Sequence, residues 1–467
     1  MKTRYILYFA VVLFLASSCK PEVNDFTPES GSADLSSYIA VGNSLTAGYA
    51  DASLYASGQE YSYANILAQQ FAHAGGNGTF KIPMMPTEDG VSPHVTAAGL
   101  YFTTKLVVGY STDCLGKTSL APVPAVANPD QAKLAGELAT SVASEGPFNN
   151  IGVPGVKVAH LLAPGLGMLN PYYGRFAENP ATDALISEVA KVNPTFFSLW
   201  IGNNDVLGYA SSGGINPITP MNGAPGVGFA ASYTAVLQTI MASADKGALA
   251  NIPDITSAAF FTTVPTNPIV LSEQWMVDGL NDAYATYNGA MEQMGQPYRI
   301  EWHLGANPMV IADAEMGIPV PALNIRQINS DEMVLLTIPQ DSIKCAFWGS
   351  QKPVPNQYIL TTKEIEKVQS ATWVFNSFIK DMAKQYNLAY VDFNALMKKV
   401  KSTGLVFDGV TFTSSFITGN LFSLDGIHLT PQGNAVVANF YIEAINATYG
   451  ANVPQVNISD YPPVNLP

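Results

Sequence analysis

The sequence predicts an α/β fold in which a parallel sheet is covered on both faces by helices and elaborated by long loop insertions. Short apolar runs closed by turn residues alternate with stretches of helical spacing, the pattern of βα units. The runs are largely apolar, as strands buried on both faces are. The 467 residues also include 38 Gly and 32 Pro, enough turn-forming residues for many surface connections around an ordered scaffold.

Residues 38–41, 196–201, 258–264 and 389–393 read as the buried strands. Residues 64–72, 230–244, 363–385 and 432–449 have helical spacing between and after them. In the third of these helices Ile365, Val368, Phe375, Phe378 and Met382 fall on one face, and Thr361 with Glu364 has the spacing of a capping box. Three intervals near 75–147, 206–228 and 267–356 interrupt the rhythm without any internal repeat. Structureless loops of that length do not fit a compact domain, so each is expected to hold small substructures packed around one face. One domain over residues 37–450 is therefore expected, with a separate insert domain in 267–356 as the alternative. The Pro-rich residues 451–467 are expected to form an extended closing segment.

Composition removes several classes of function. Lys and Arg total 22 against 36 Asp and Glu, a net charge of −14, and no basic run exceeds Lys398, Lys399 and Lys401. Nucleic-acid binding needs clustered cations and is disfavoured. With 22 Tyr, 22 Phe, 5 Trp and 48% hydrophobic residues the chain is too apolar for a disordered one. The five histidines, at 73, 94, 160, 303 and 428, show neither HExxH nor any paired CxxC spacing, and neither GxGxxG nor GxxxxGK[ST] occurs. No metal and no cofactor is expected.

The N-terminus reads as an address. Lys2 and Arg4 precede an apolar run over residues 6–15 and the small residues Ala16, Ser17 and Ser18, the three parts of a signal peptide over 1–18. The run falls short of the roughly 20 residues that span a membrane. The segment ending at Cys19 resembles a bacterial lipoprotein signal, which implies a lipid on Cys19 and anchoring in the cell envelope, at the outer membrane or cell surface. Residues 19–36, rich in Pro, Glu, Asp, Ser and Gly, read as a flexible tether of about 50 Å when extended. Glu22 and Asp25 resemble sorting signals of surface-exposed lipoproteins. An exported chain permits a disulfide between Cys114 and Cys345, and two separate buried thiols fit equally well.

The chemistry centres on serine. Residues 39–48 place Ser44 immediately after a buried strand and between glycines, where the carboxyl edge of a parallel sheet binds ligands. On these residues alone an ordinary helix cap is the plainer account of such a serine. Near the C-terminus Asp425 and His428 lie three apart before a helix. A serine hydroxyl needs an imidazole to take its proton, and the imidazole needs a carboxylate to hold its tautomer. A capping Asp425 with a surface His428 is the competing reading.

Four blocks then occur in order: Gly42-Asn43-Ser44-Leu45, Asn150-Ile151-Gly152-Val153-Pro154-Gly155, Gly202-Asn203-Asn204-Asp205 and Asp425-Gly426-Ile427-His428. Together they resemble the blocks of the SGNH hydrolases, also called GDSL esterases and lipases. The resemblance implies a three-layer α/β/α fold with a five-stranded parallel sheet. It makes Ser44 the nucleophile, His428 the general base and acid, and Asp425 its orienting group. It also implies an oxyanion hole built from the backbone N–H groups of Ser44 and Gly155 and the side-chain amide of Asn204. The serine block usually reads Gly-Asp-Ser-Leu; here Asn43 replaces the acid, and an amide can make similar local hydrogen bonds.

On this reading the chain is a serine carboxylester hydrolase, an esterase or lipase, acting on a lipid or an acylated carbohydrate ester as a tethered monomer. A carbohydrate O-acetyl esterase of the same fold, a non-catalytic glycan-binding lipoprotein and acyl transfer on the same triad are the alternatives. Other candidates have plainer explanations. His160 is expected to be a packing or surface residue, Trp200 core, and Tyr172 with Tyr173 a turn cluster that can otherwise line a substrate mouth.

Overall fold

The computed structural model describes residues 26–96 and 99–466, so the signal segment, Cys19, Glu22 and Asp25 lie outside the described residues. Five strands form one parallel sheet: β1 (Tyr38–Gly42), β2 (Asn150–Gly152), β3 (Phe196–Trp200), β4 (Lys246–Ala250) and β5 (Ala389–Val391). Their spatial order is β5-β4-β3-β1-β2. After β1 the chain moves first to one side, to β2, and then to the other, to β3. The carboxyl end of β1 is therefore the topological switch point, where open α/β sheets bind ligands.

Helices flank this sheet: α1 (Tyr63–His73), α2 (Asn203–Ala210), α3 (Phe229–Met241), α5 (Thr362–Tyr386), α6 (Phe393–Ser402) and α7 (Pro431–Tyr449), while α4 (Gln274–Gln293) lies apart from it in an insertion. Alternate side chains of a strand point to opposite faces. On β3, Phe196 meets Phe71 of α1 and Tyr449 of α7, and Trp200 meets Tyr63 and Tyr441 of the same two helices. Away from these, α3 and α5 pack together through Phe229 and Phe375, stacked with ring centroids 3.9 Å apart. Helix α5 starts at the capping box the sequence predicts: Thr361 Oγ1 accepts from the Glu364 N–H, and the Glu364 carboxylate accepts from the Thr361 N–H. Its apolar face is placed as expected, with Ile365, Val368 and Phe375 buried and Phe378 and Met382 packed against the same core.

Four expectations need correction. Residues 258–264 are not a strand; they form a helical turn, Ala259–Thr262, and the sheet position goes to β4. The short strand β2 was also absent from the sequence reading. The tether is shorter than 19–36, because Asn452 donates to the carbonyls of Thr27 and Glu29, Ser32 donates to the carbonyl of Tyr449, and Ala33 and Leu35 are buried. Interval 206–228 begins inside α2 and becomes loop only after Ala210.

The other two intervals hold small substructures, as expected. Residues 75–147 contain hairpins Ser92–Thr96 with Gly99–Thr103 and Leu106–Thr112 with Thr118–Pro124, and a helix, Gln131–Ala139. Residues 267–356 contain α4, whose Val277, Tyr284 and Met291 pack with Ile300, Trp302 and Val310 in a cluster apart from the main core. Cys114 and Cys345 form a disulfide that ties the second hairpin to the end of a short helix, Gln340–Lys344. Beside it Lys344 Nζ lies 2.9 Å from the Asp113 carboxylate.

Candidate active site

Register brings the blocks together. Gly42 at the end of β1 pairs with Gly152 on β2 and Trp200 on β3, so the chain leaves all three strands at one edge. Ser44, Gly155 and Asn204 follow two, three and four residues later. The turn after β1 is tight: a Cβ on Gly42 would lie 2.0 Å from Thr46 Oγ1 and 2.6 Å from the Trp200 carbonyl, so no side chain fits. Asn43 caps the helical turn Ser44–Ala47, its Oδ1 accepting from the Leu45 N–H at 3.1 Å. The amide therefore makes the local bond expected of the residue before the serine, and Ser44 is left free of the capping role.

The C-terminal block supplies the partner. His428 Nε2 lies 2.8 Å from Ser44 Oγ, and His428 Nδ1 lies 2.8 Å from Asp425 Oδ2. Of the competing reading, a capping aspartate with a surface histidine, the histidine part does not hold, since the His428 side chain is mostly buried. Asp425 Oδ1 also accepts the backbone N–H groups of Ile427 and His428, both at 2.8 Å, and Oδ2 accepts the Ala52 N–H at 2.9 Å. Burial pushes the Asp425 carboxyl up, but the adjacent His428 ring and these donors outweigh it and hold the group well below the usual carboxylate range. An ionised carboxylate only accepts, so Nδ1 carries the proton and Nε2 presents its lone pair to the Ser44 hydroxyl.

The loop that bears Gly155 is fixed from β3. Asn204 Nδ2 donates to the Val156 carbonyl at 2.9 Å, and buried Asp205 accepts the Val158 N–H at 3.0 Å. From the other side Asn170 Nδ2 donates to the Pro154 carbonyl. Gly155 itself has φ +80°, a backbone conformation that side-chain-bearing residues rarely adopt. Ser44, Gly155 and Asn204 thus follow the ends of three neighbouring strands.

No family model matches this chain, and no curated protein matches it. The roles of the site residues rest on this geometry and on the four sequence blocks.

Two contributions have no sequence signal. Tyr49 sets its ring 4.7 Å from that of His428, and its hydroxyl is bonded to Ser92 of the first insertion. Asp51 and Ala52 both have positive φ, 51° and 60°, which turns the Ala52 N–H toward Asp425. Asp51 then accepts from the Leu424 N–H and the Tyr55 hydroxyl. Asp adopts such a conformation more readily than most residues, but Ala in sequence does not announce it.

The remaining candidates resolve toward packing. His160 accepts the Lys157 N–H within the short helix Val158–Leu162. Tyr172 and Tyr173 are buried at a helix start capped by Asn170, with their hydroxyls bonded to the Val91 carbonyl and Glu188. Trp200 is core as expected, its indole N–H donating to the Asn251 carbonyl, and one face borders a cavity that opens at Ser44.

Proposed function

We propose that this chain is a serine carboxylester hydrolase of the SGNH type, with Ser44 as nucleophile. The observation that carries the reading is the continuous relay Ser44–His428–Asp425, closed by two contacts of 2.8 Å. His428 Nε2 takes the Ser44 proton as Oγ attacks the ester carbonyl, and the imidazolium so formed is stabilised by Asp425. Charge develops on the former carbonyl oxygen, toward which the N–H groups of Ser44 and Gly155 and the amide of Asn204 are assigned as donors. His428 then passes its proton to the departing alkoxide, leaving an acyl-Ser44 ester. Water, deprotonated by the same nitrogen, hydrolyses that ester and restores the enzyme. The lipoprotein-type N-terminus supports an ester substrate outside the cytoplasm, met by an enzyme anchored through Cys19.

The test is release of p-nitrophenol from p-nitrophenyl butyrate by wild type and Ser44→Ala, with intact mass after treatment with a fluorophosphonate. Wild type turns over and gains one adduct on Ser44, and the variant does neither. Equal rates for the two proteins on every ester tried would refute the reading.

A further inference from the structure

A cavity bordered by Ser44 and His428 reaches from the carboxyl edge of the sheet to α6 and α7, with about 70 Å³ open to the centre of a water-sized sphere. Its inner wall is Trp200, Phe261, Phe393, Leu396, Met397 and Val437, each less than a tenth exposed. Trp200 spends its indole N–H on the Asn251 carbonyl, so only ring carbon faces inward. The one charged side chain on the lining apart from the triad, Asp254, has its two oxygens occupied by the hydroxyls of Thr256 and Ser257. A hydroxyl-rich sugar entering this space would leave its polar groups unpaired.

The polar atoms that lack partners are gathered at the other end. Asn43 Nδ2 and both amide atoms of Asn203 are buried without a hydrogen bond, and both residues line the cavity with Ser44. A molecule complementary to this lining is polar where it meets the serine and hydrocarbon beyond it. An ester carrying an aliphatic chain has that shape.

Which half of the ester enters follows from the order of bond breaking. The alcohol must leave after the first step, and water must then approach past His428. The acyl chain stays bonded to Ser44 through both steps. An apolar recess suits the half that stays and would hold back the half that must go.

We infer that this cavity binds the acyl chain of the substrate, so that the enzyme acts on esters of aliphatic acids longer than acetate and not on acetylated glycans. The inference rests on the ester hydrolase reading above. Each methylene buried contributes about 0.8 kcal/mol, which is about fourfold in kcat/KM and about 15-fold for two methylenes when the gain persists in the transition state.

The experiment uses the purified full-length protein with p-nitrophenyl acetate, butyrate and hexanoate, and in parallel with ethyl, butyl and hexyl acetates. Wild type is expected to prefer butyrate to acetate by about 15-fold, with a further rise at hexanoate and no comparable trend along the alkyl acetates. Ala258 borders the same space, and Ala258→Phe and Met397→Trp would fill it. Each is expected to lower the hexanoate-to-acetate ratio of kcat/KM by about tenfold or more, a ratio that general loss of folded protein leaves unchanged. Acetate turned over as well as the longer acids, a preference that follows the alcohol chain, or ratios unmoved in both variants would each overturn the inference while leaving Ser44-dependent hydrolysis in place. No Ser44-dependent turnover on any ester would instead remove the hydrolase reading, and this inference with it.

Discussion

Replacing Asp425 by Asn tests the relay at its least replaceable point. The carboxylate accepts four hydrogen bonds: Oδ1 takes the Ile427 and His428 N–H groups, and Oδ2 takes His428 Nδ1 and the Ala52 N–H. An amide has one accepting oxygen. If that oxygen stays with the two backbone groups of its own turn, the NH2 faces His428 Nδ1 and Ala52, which are both donors. His428 then moves its proton to Nε2, where it points at Ser44 Oγ and cannot accept the hydroxyl proton. A wrong tautomer of this kind costs about 10⁴-fold in kcat, or about 5 kcal/mol of barrier. If the amide turns the other way, two backbone N–H groups lose their acceptor, at about 1–3 kcal/mol each. The assay is kcat on p-nitrophenyl butyrate together with thermal unfolding at pH 7. A variant that keeps more than about a tenth of wild-type kcat, where about 10⁻⁴ is expected, would refute the tautomer argument.

Three further outcomes follow from other parts of the fold. Burial pushes the Asp205 carboxyl up to about 6, so folding favours its neutral form; its contribution is full below about pH 4 and falls by about 3 kcal/mol as pH rises through 6. Asp205→Asn keeps an acceptor for Val158, and its melting temperature is expected to change less than that of wild type between pH 4 and 8; equal slopes would count against the buried charge. Gly42→Ala drives a Cβ to 2.6 Å from the Trp200 carbonyl, and an overpacked site of this kind costs about 1–3 kcal/mol. Its denaturant midpoint should fall together with kcat, and an unchanged midpoint would show that the turn has room. Replacing both Cys114 and Cys345 by Ser opens a loop spanning 231 positions, for which chain entropy sets a ceiling of about 5 kcal/mol. The pair of substitutions is expected to lower the unfolding free energy read from the urea transition by about 2–5 kcal/mol, whereas no shift would place the bridge in a region that opens independently of the rest.

The residues of the candidate site were legible because the proposed chemistry requires particular side chains, and those side chains stand in short blocks. Much of the sheet was legible for a similar reason, since 38–41, 196–201 and 389–393 are apolar runs with turn residues behind them. Strand β4 was not, because its sequence Lys-Gly-Ala-Leu-Ala has almost no strand propensity. Its small residues answer to a neighbour: a Cβ on Gly247 would come within 2.5 Å of the Phe197 ring. The run 258–264 misled in the opposite sense. Phe260 and Phe261 are apolar because they are buried, with Phe260 bonded through its N–H to the Gly426 carbonyl, and periodicity does not separate a buried turn from a buried strand over so few residues. The disulfide, the bracing of Asp425 by Ala52 and the cavity all depend on segments far apart in sequence, and no local pattern reports such contacts.

The bridge between Cys114 and Cys345 also divides the chain into a covalent ring and two arms. Ser44 lies on the N-terminal arm and Asp425 and His428 on the C-terminal one, while Gly155 and Asn204 lie within the ring. A protease cut inside the ring, for example at the exposed pair Met168 and Leu169, would nick the backbone without parting the nucleophile from its base. A cut in either arm between the bridge and the triad would leave those two groups on separate molecules. A single nick anywhere in the 230 residues enclosed between Cys114 and Cys345, the stretch that contains most of the inserted loops, therefore leaves one covalent molecule.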